Sequence, residues 1–185
     1  MHRKKLLSLL QVYSPIDTDE KLMKQKLEEF VKSTSDCFDN NNRSGHITAS
    51  AWIVDFKTKK IGMVHHKKLN RWFQPGGHSD GNSDTPQEAL REAHEEFGIP
   101  SLQLASEEIF DIDIHIIPED KKRDLGPHPH YDVRFLVIGD SRITPSLSDE
   151  SHDAQWVSLD KVTSLNGSGS ITRMVAKTEH SSKAQ

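Results

Sequence analysis

The sequence predicts a mixed α+β domain, residues 43–185, behind a helical N-terminal extension, residues 1–42. Apolar residues recur at helical spacing over the first forty positions. From His46 onward the chain turns to stretches rich in β-branched and aromatic residues, and one well-delimited helix, beginning near Thr85, interrupts them. A length of 185 residues fits one compact domain with such an appendage.

In chain order, Leu6, Leu7, Leu9 and Leu10 form a short helical segment that Ser14-Pro15 ends. Asp17 followed by Glu20 reads as a capping box opening a second helix, along which Met23, Leu27, Phe30, Val31 and Thr34 share one side. DNNNRSG is a loop. HITASAWIVDF and IGMVHH, separated by KTKK, predict a β-hairpin. NRWFQPGGHSDGNSD reads as a glycine- and aspartate-rich loop with a short strand at its start. In EEIFDIDIHIIP, Ile112, Ile114 and Ile116 alternate with Asp111, Asp113 and His115, as in a half-buried strand. EDKKRDLGPHPH is an exposed loop, YDVRFLVIGD and AQWVSL are strands, and DKVTSL and ITRMVAKTEH are C-terminal helices. No internal repeat or low-complexity segment is visible.

The hydrophobic fraction is 34% and mean hydropathy is -0.67, which gives a modest core and a wet surface. A net charge of -4 argues against bulk attraction to a nucleic acid polymer or an anionic membrane. The apolar stretch after the basic start is too short for a signal peptide, and no run of about 18 apolar residues is present to span a bilayer. Cys37 is the single cysteine, so no intramolecular disulfide forms, and a reducing compartment fits. The expectation is a soluble, cytoplasmic protein.

The segment TPQEALREAHEEFG has clear start and stop signals. Thr85 with Glu88 spells a capping box, Pro86 suits the first helical turn, and Gly98 suits the C′ position. At about 100° per residue, Ala89, Leu90, Ala93 and Phe97 make one core-facing stripe, while Glu88, Glu92, Glu95 and Glu96 fall in an adjacent arc. Like charges at this spacing repel by about 0.2–0.5 kcal/mol per pair, which a solvated acidic face tolerates. Only Arg91 and His94 interrupt the acids, however, and the flexible PGGHSDGNSD loop precedes them. Hard divalent cations take oxygen ligands, so a bound cation turns this repulsion into attraction.

GGHSDGNSDTPQEALREAHEEFGI resembles the signature of the Nudix hydrolases, G-x5-E-x7-R-E-U-x-E-E-x-G-U with U a bulky aliphatic residue. Gly77, Arg91, Glu92, Glu95, Glu96, Gly98 and Ile99 are in register. Two positions depart from it: Ser83 stands where the first glutamate belongs, with Asp84 beside it as a substitute, and Ala93 replaces a larger aliphatic. The resemblance implies a Nudix-type α/β/α sandwich with a mixed sheet. It implies that Glu92, Glu95 and Glu96, with the Gly76 carbonyl, bind Mg2+ or Mn2+, and that Arg91 orients a box carboxylate. The activity it implies is hydrolysis of a phosphoanhydride in a nucleoside diphosphate linked to another group. The resemblance also implies a general base that is either a box glutamate or an acid from a later loop, and Glu150 in SLSDESHDAQW is the expected base.

His78, after the glycine pair, is a candidate substrate contact, and Trp72 a candidate stacking surface for a base, although aromatics beside a strand commonly join the core. His-x-His at His128 and His130, with Asp132 continuing the same side, allows a zinc site, yet loops also collect histidines without purpose. Two other classes stand beside the hydrolase: a nucleotide-sensing module that keeps the fold without turnover, suggested by Ser83, and an isoprenoid-diphosphate isomerase, for which Cys37 is badly placed. Three roles are open to the extension: covering a sheet edge, gating the pocket, or forming a homodimer contact.

Overall fold

The computed structural model describes residues 2–119, 125–149 and 151–181. Its elements are α1 (Lys4–Val12), α2 (Thr18–Ser33), β1 (His46–Asp55), β2 (Lys60–His66), β3 (Arg71–Phe73), β4 (Gly76–His78), α3 (Thr85–Phe97), β5 (Gln103–Ile117), β6 (His128–Ile138), β7 (Ser151–Ser158), α4 (Leu159–Leu165) and α5 (Gly169–Ser181). The sheet runs β3-β2-β1-β6-β5, with β4 also paired to β1 and β7 to β2. β1 and β2 form the expected antiparallel hairpin, with Ile53 opposite Gly62. β1 and β6 are parallel, with His46 opposite His130, so the sheet is mixed. Such a pairing requires a crossover, and α3 lies within it.

Every residue of β1 is buried, because helices cover both faces of the sheet. Ile47, Ala49, Ala51 and Ile53 pack into one core with Ala89, Ala93 and Phe97 of α3. Trp52 and Val54, on the alternate face, pack with Val162 of α4 and Ile171, Met174 and Val175 of α5. This is the α/β/α sandwich. The alanines at 89 and 93 lie in the same core as Ala49 and Ala51, which lets α3 approach β1 closely.

The extension packs as part of this body. Leu6, Leu10, Leu27 and Val31 are fully buried in the same core as Phe97 and Phe135. Asp17 caps α2 by accepting from the Glu20 N–H at 2.7 Å. Glu20 does not return the bond to Asp17. Its fully buried carboxylate instead accepts from the Ile16 N–H, Tyr13 and Lys177.

Several local expectations fail for identifiable reasons. His128–His130 belong to β6 and not to a loop, while residues 120–124 lie outside the described residues. Gly76–His78 form strand β4 within the glycine-rich segment, held by pairing to Thr48–Ser50. The aspartates of β5 do not face solvent. Asp111 is fully buried and receives Arg173 at 2.8 and 2.9 Å and Lys177 at 2.8 Å, while Arg134 donates to Asp132 at 2.7 Å and Asp113 at 3.1 Å. Ile116, expected inside, is 64% exposed. Ile112 is fully buried as expected, and three cations from β6 and α5 let the aspartate side of β5 be buried as well, so the middle of the strand is covered on both faces.

Candidate active site

α3 begins at Thr85, with Asp84 at the N-cap, and no side chain caps it. The expected Thr85–Glu88 capping box is therefore absent: Thr85 is already helical, and its buried hydroxyl has no hydrogen-bond partner. The Asp84 carboxylate turns to Lys5 of α1, at 2.7 Å. The other end follows expectation, since Gly98 terminates the helix in the left-handed region at φ 67° and returns its N–H to the His94 carbonyl.

The core stripe holds, with Ala89, Ala93 and Phe97 fully buried. The carboxylates beside it converge on Arg91. Its Nε donates to Glu88 at 2.8 Å, one terminal nitrogen to Glu95 at 2.8 Å, and the other to Glu92 at 2.6 Å and the His78 carbonyl at 3.4 Å. Partial burial works against the charged guanidinium, but the bonds to Glu88 and Glu95 outweigh it and raise the Arg91 pKa above its ordinary value. Sequence reasoning gave Arg91 one carboxylate partner; the structure gives it three. Asn82 donates to the second oxygen of Glu88, so that acid orients Arg91 and ties it to the preceding loop.

β4 brings the backbone to these acids. The Gly76 N–H donates to Glu96 Oε2 at 2.9 Å. At Gly77 a Cβ would stand 2.5 Å from Glu92 Oε1 and 2.7 Å from its Cδ, so the carboxylate keeps this position only against glycine. Glu96 is buried, the Glu92 side chain is 13% exposed, and the Glu95 side chain is 60% exposed. The acids thus grade from the sheet outward to solvent.

The remaining candidates lie elsewhere around β4. Gly77 looks toward α3, so alternation sends the next side chain, His78, to the opposite face of the sheet, where its ring lies 5.0 Å from that of His46 and 5.2 Å from that of His130. His78 meets the carboxylate cluster through its main-chain carbonyl. Trp72 stacks on His65 at 5.1 Å and 19°, packs against the second core, and stays half-buried. Glu150 lies outside the described residues. Beside it, Lys67 donates to the Asp149 carbonyl at 2.6 Å, and the His152 ring approaches His65 at 5.5 Å. The sequence reading did not single out Glu88 as the partner of Arg91, although an acid three residues before an arginine on a helix is a visible signal. Nor did it find His46, whose partners depend on strand register.

Comparison with known proteins places these features in context. The family profile described as NUDIX domain matches residues 45–177. A probable DHNTP pyrophosphohydrolase from Lactococcus lactis subsp. cremoris (strain MG1363) is 27% identical over 134 residues, covering 71% of this chain and 76% of that protein. Among solved structures, a binary complex of the C. elegans Ap4A hydrolase has a TM-score of 0.60 at 19% identity, covering 75% of this chain and 98% of that one. The E. coli dihydroneopterin triphosphate pyrophosphohydrolase has a TM-score of 0.57 at 16% identity, covering 71% and 92%. At such identities the structural likeness establishes the fold. No helix among the described residues is long and apolar enough to cross a membrane.

Proposed function

The chain belongs to the Nudix family, and from that membership we propose that it is a divalent-metal-dependent pyrophosphohydrolase acting on a nucleotide-type small molecule. The observation that carries the proposal is the convergence of Glu88, Glu92 and Glu95 on one guanidinium, beside a glycine whose Cβ would displace Glu92. These side chains already gather around a cation, and their donor atoms are all oxygens, which suits Mg2+ or Mn2+. Glu92, Glu95 and Glu96, with the Gly76 carbonyl, are the groups assigned to hold the metal. When bound, such an ion neutralises phosphate charge and lowers the pKa of water.

The chain's own groups do the rest. Arg91 fixes the Glu92 carboxylate through a 2.6 Å bond, which positions it to accept the proton of the attacking water. Glu150, the base chosen from the sequence, lies outside the described residues, and Glu92 is the box glutamate that could serve in its place. The Gly76 N–H orients Glu96. Trp72, half-buried on His65, offers a flat surface for a base, whereas His78, expected as a substrate contact, turns its ring to His46 and His130 and reaches the carboxylates only through its main-chain carbonyl. Ser83 leaves the first box glutamate absent, and Asp84 is engaged by Lys5, so catalysis rests on the three remaining box acids.

The test is a panel of nucleoside triphosphates, ADP-ribose, other sugar nucleotides and dinucleoside polyphosphates, each with Mg2+ and with Mn2+, with both products identified. Cleavage of a phosphoanhydride in at least one member is expected. Binding without any product across the panel would favour a sensing module instead.

A further inference from the structure

A second cluster of metal-binding chemistry lies on the other face of the sheet. β1, β4 and β6 meet so that His46 is opposite His130, and His78 is opposite Thr48, two residues along β1 from His46. Residues paired across strands share a face, so the three imidazoles are delivered to one corner from three different strands. One ring nitrogen from each of His46, His78 and His130 lies within 4.8 Å of the others. His115, opposite His130 on β5, and His128, two residues before it, bring two further rings to the same side.

Ordinary packing does not account for this arrangement. The Nε2 of His130 is buried without a hydrogen-bond partner, and a buried polar atom of that kind costs about 1–3 kcal/mol. His115 and His128 differ: the first bonds through Nδ1 to Asp113 at 3.0 Å, the second through Nδ1 to the Gly126 carbonyl at 2.7 Å. Their rings are oriented by the protein through these bonds, whereas the buried Nε2 of His130 has no such partner.

We propose that His46, His78 and His130 form a binding site for a borderline divalent transition metal of the Zn2+ class, separate from the carboxylates of α3. Three imidazoles match the donor preference of Zn2+, and a fourth, open position is normal for a three-histidine site. Zn–N bonds of about 2.0–2.1 Å would bring all three donor nitrogens, which lie within 4.8 Å of one another, onto one ion. His78 and His130 are only half-buried, which leaves a route for the ion. An ion here ties β4 to β1 and β6. Because Gly77 precedes His78 on β4, it also fixes the strand against which Glu92 packs.

The test uses the full chain, stripped with chelator and held in excess Mg2+ so that oxygen-donor sites are filled. Zn2+ is titrated by calorimetry, and Co2+ by its visible ligand-field absorption. One ion per chain is expected, with tetrahedral Co2+ bands, an increase in Tm on adding Zn2+, and binding in His46→Gln and in His130→Gln weakened by more than the roughly 10–100-fold that loss of an outer-shell partner costs. His115→Gln, Glu95→Gln and Glu96→Gln should bind as the wild type does. If the histidine variants do not fold, X-ray absorption of the Zn2+-loaded wild type decides instead, with imidazole scattering expected. An oxygen-only shell, an absence of Zn2+ binding in Mg2+, or binding lost in Glu95→Gln but retained in His130→Gln would overturn the proposal. None of these readouts depends on turnover.

Discussion

Replacing Gly77 by alanine should uncouple activity from stability. Gly77 does not have a positive φ, so the backbone accepts alanine without strain. The three atoms nearest to the added Cβ would all belong to Glu92, at 2.5 Å for Oε1, 2.7 Å for Cδ and 2.9 Å for Oε2. To regain ordinary contact the carboxylate must retreat by about 0.9 Å, and a misplacement of about 1 Å at a reacting centre costs on the order of 100-fold, or about 2.7 kcal/mol of barrier. The 2.6 Å bond from Arg91 is lost with it. Because the displaced group is the end of a flexible side chain, Tm should move by only a few degrees. Gly76→Ala is the contrast. Its Cβ would overlap the Ser50 side chain and stand 2.8 Å from the Ser50 Cα, pushing β4 off β1 and destabilising the fold. Steady-state kcat/KM and thermal unfolding of both variants provide the assay. Wild-type kcat/KM in Gly77→Ala would refute the placement of Glu92 in the reaction.

Glu95→Gln and Glu96→Gln should each lower kcat by two orders of magnitude or more with the fold intact, checked by turnover alongside circular dichroism. Glu96→Gln should show the larger change in Tm, since its carboxylate is buried on the Gly76 N–H. EDTA should abolish turnover, and excess Mg2+ or Mn2+ should restore it. Leu27→Ala should cost about 2–5 kcal/mol by urea unfolding, because α2 contributes to the main core; a cost near zero would mean the extension is dispensable. Burial alone would raise the Asp113 pKa, but the bond from His115 and the charge of Arg134 hold it at about 2, below the ordinary 3.8. A carboxylate with a depressed pKa contributes stability that is present above pH 3.8 and is lost as pH falls toward 2. Asp113→Asn should therefore be less stable by about 2 kcal/mol at neutral pH, with the gap from wild type closing as pH falls from 3.8 to 2.

What was legible in the sequence was local. The α3 stripe, its glycine stop and the clustering of its acids follow from helical periodicity alone, and the β1–β2 hairpin follows from two apolar runs around a charged turn. β4 was not legible, because three residues containing two glycines show no period. The buried aspartates of β5 were assigned to solvent, since their partners Arg173 and Lys177 sit far along the chain on α5. The histidine corner depends on the parallel register of β1 and β6, which no local pattern encodes. His128 and His130 hinted at it, and His46 gave no signal of its own. Thr85 shows the converse error: a correct motif whose helix starts one residue earlier than the motif requires.

The most direct measurement is anomalous diffraction at the manganese edge from a crystal soaked with Mn2+ and a non-hydrolysable nucleotide. The account predicts a peak among the carboxylates of Glu92, Glu95 and Glu96 and the Gly76 carbonyl, in contact with the bound phosphates. Bound nucleotide with no manganese at α3 would contradict it.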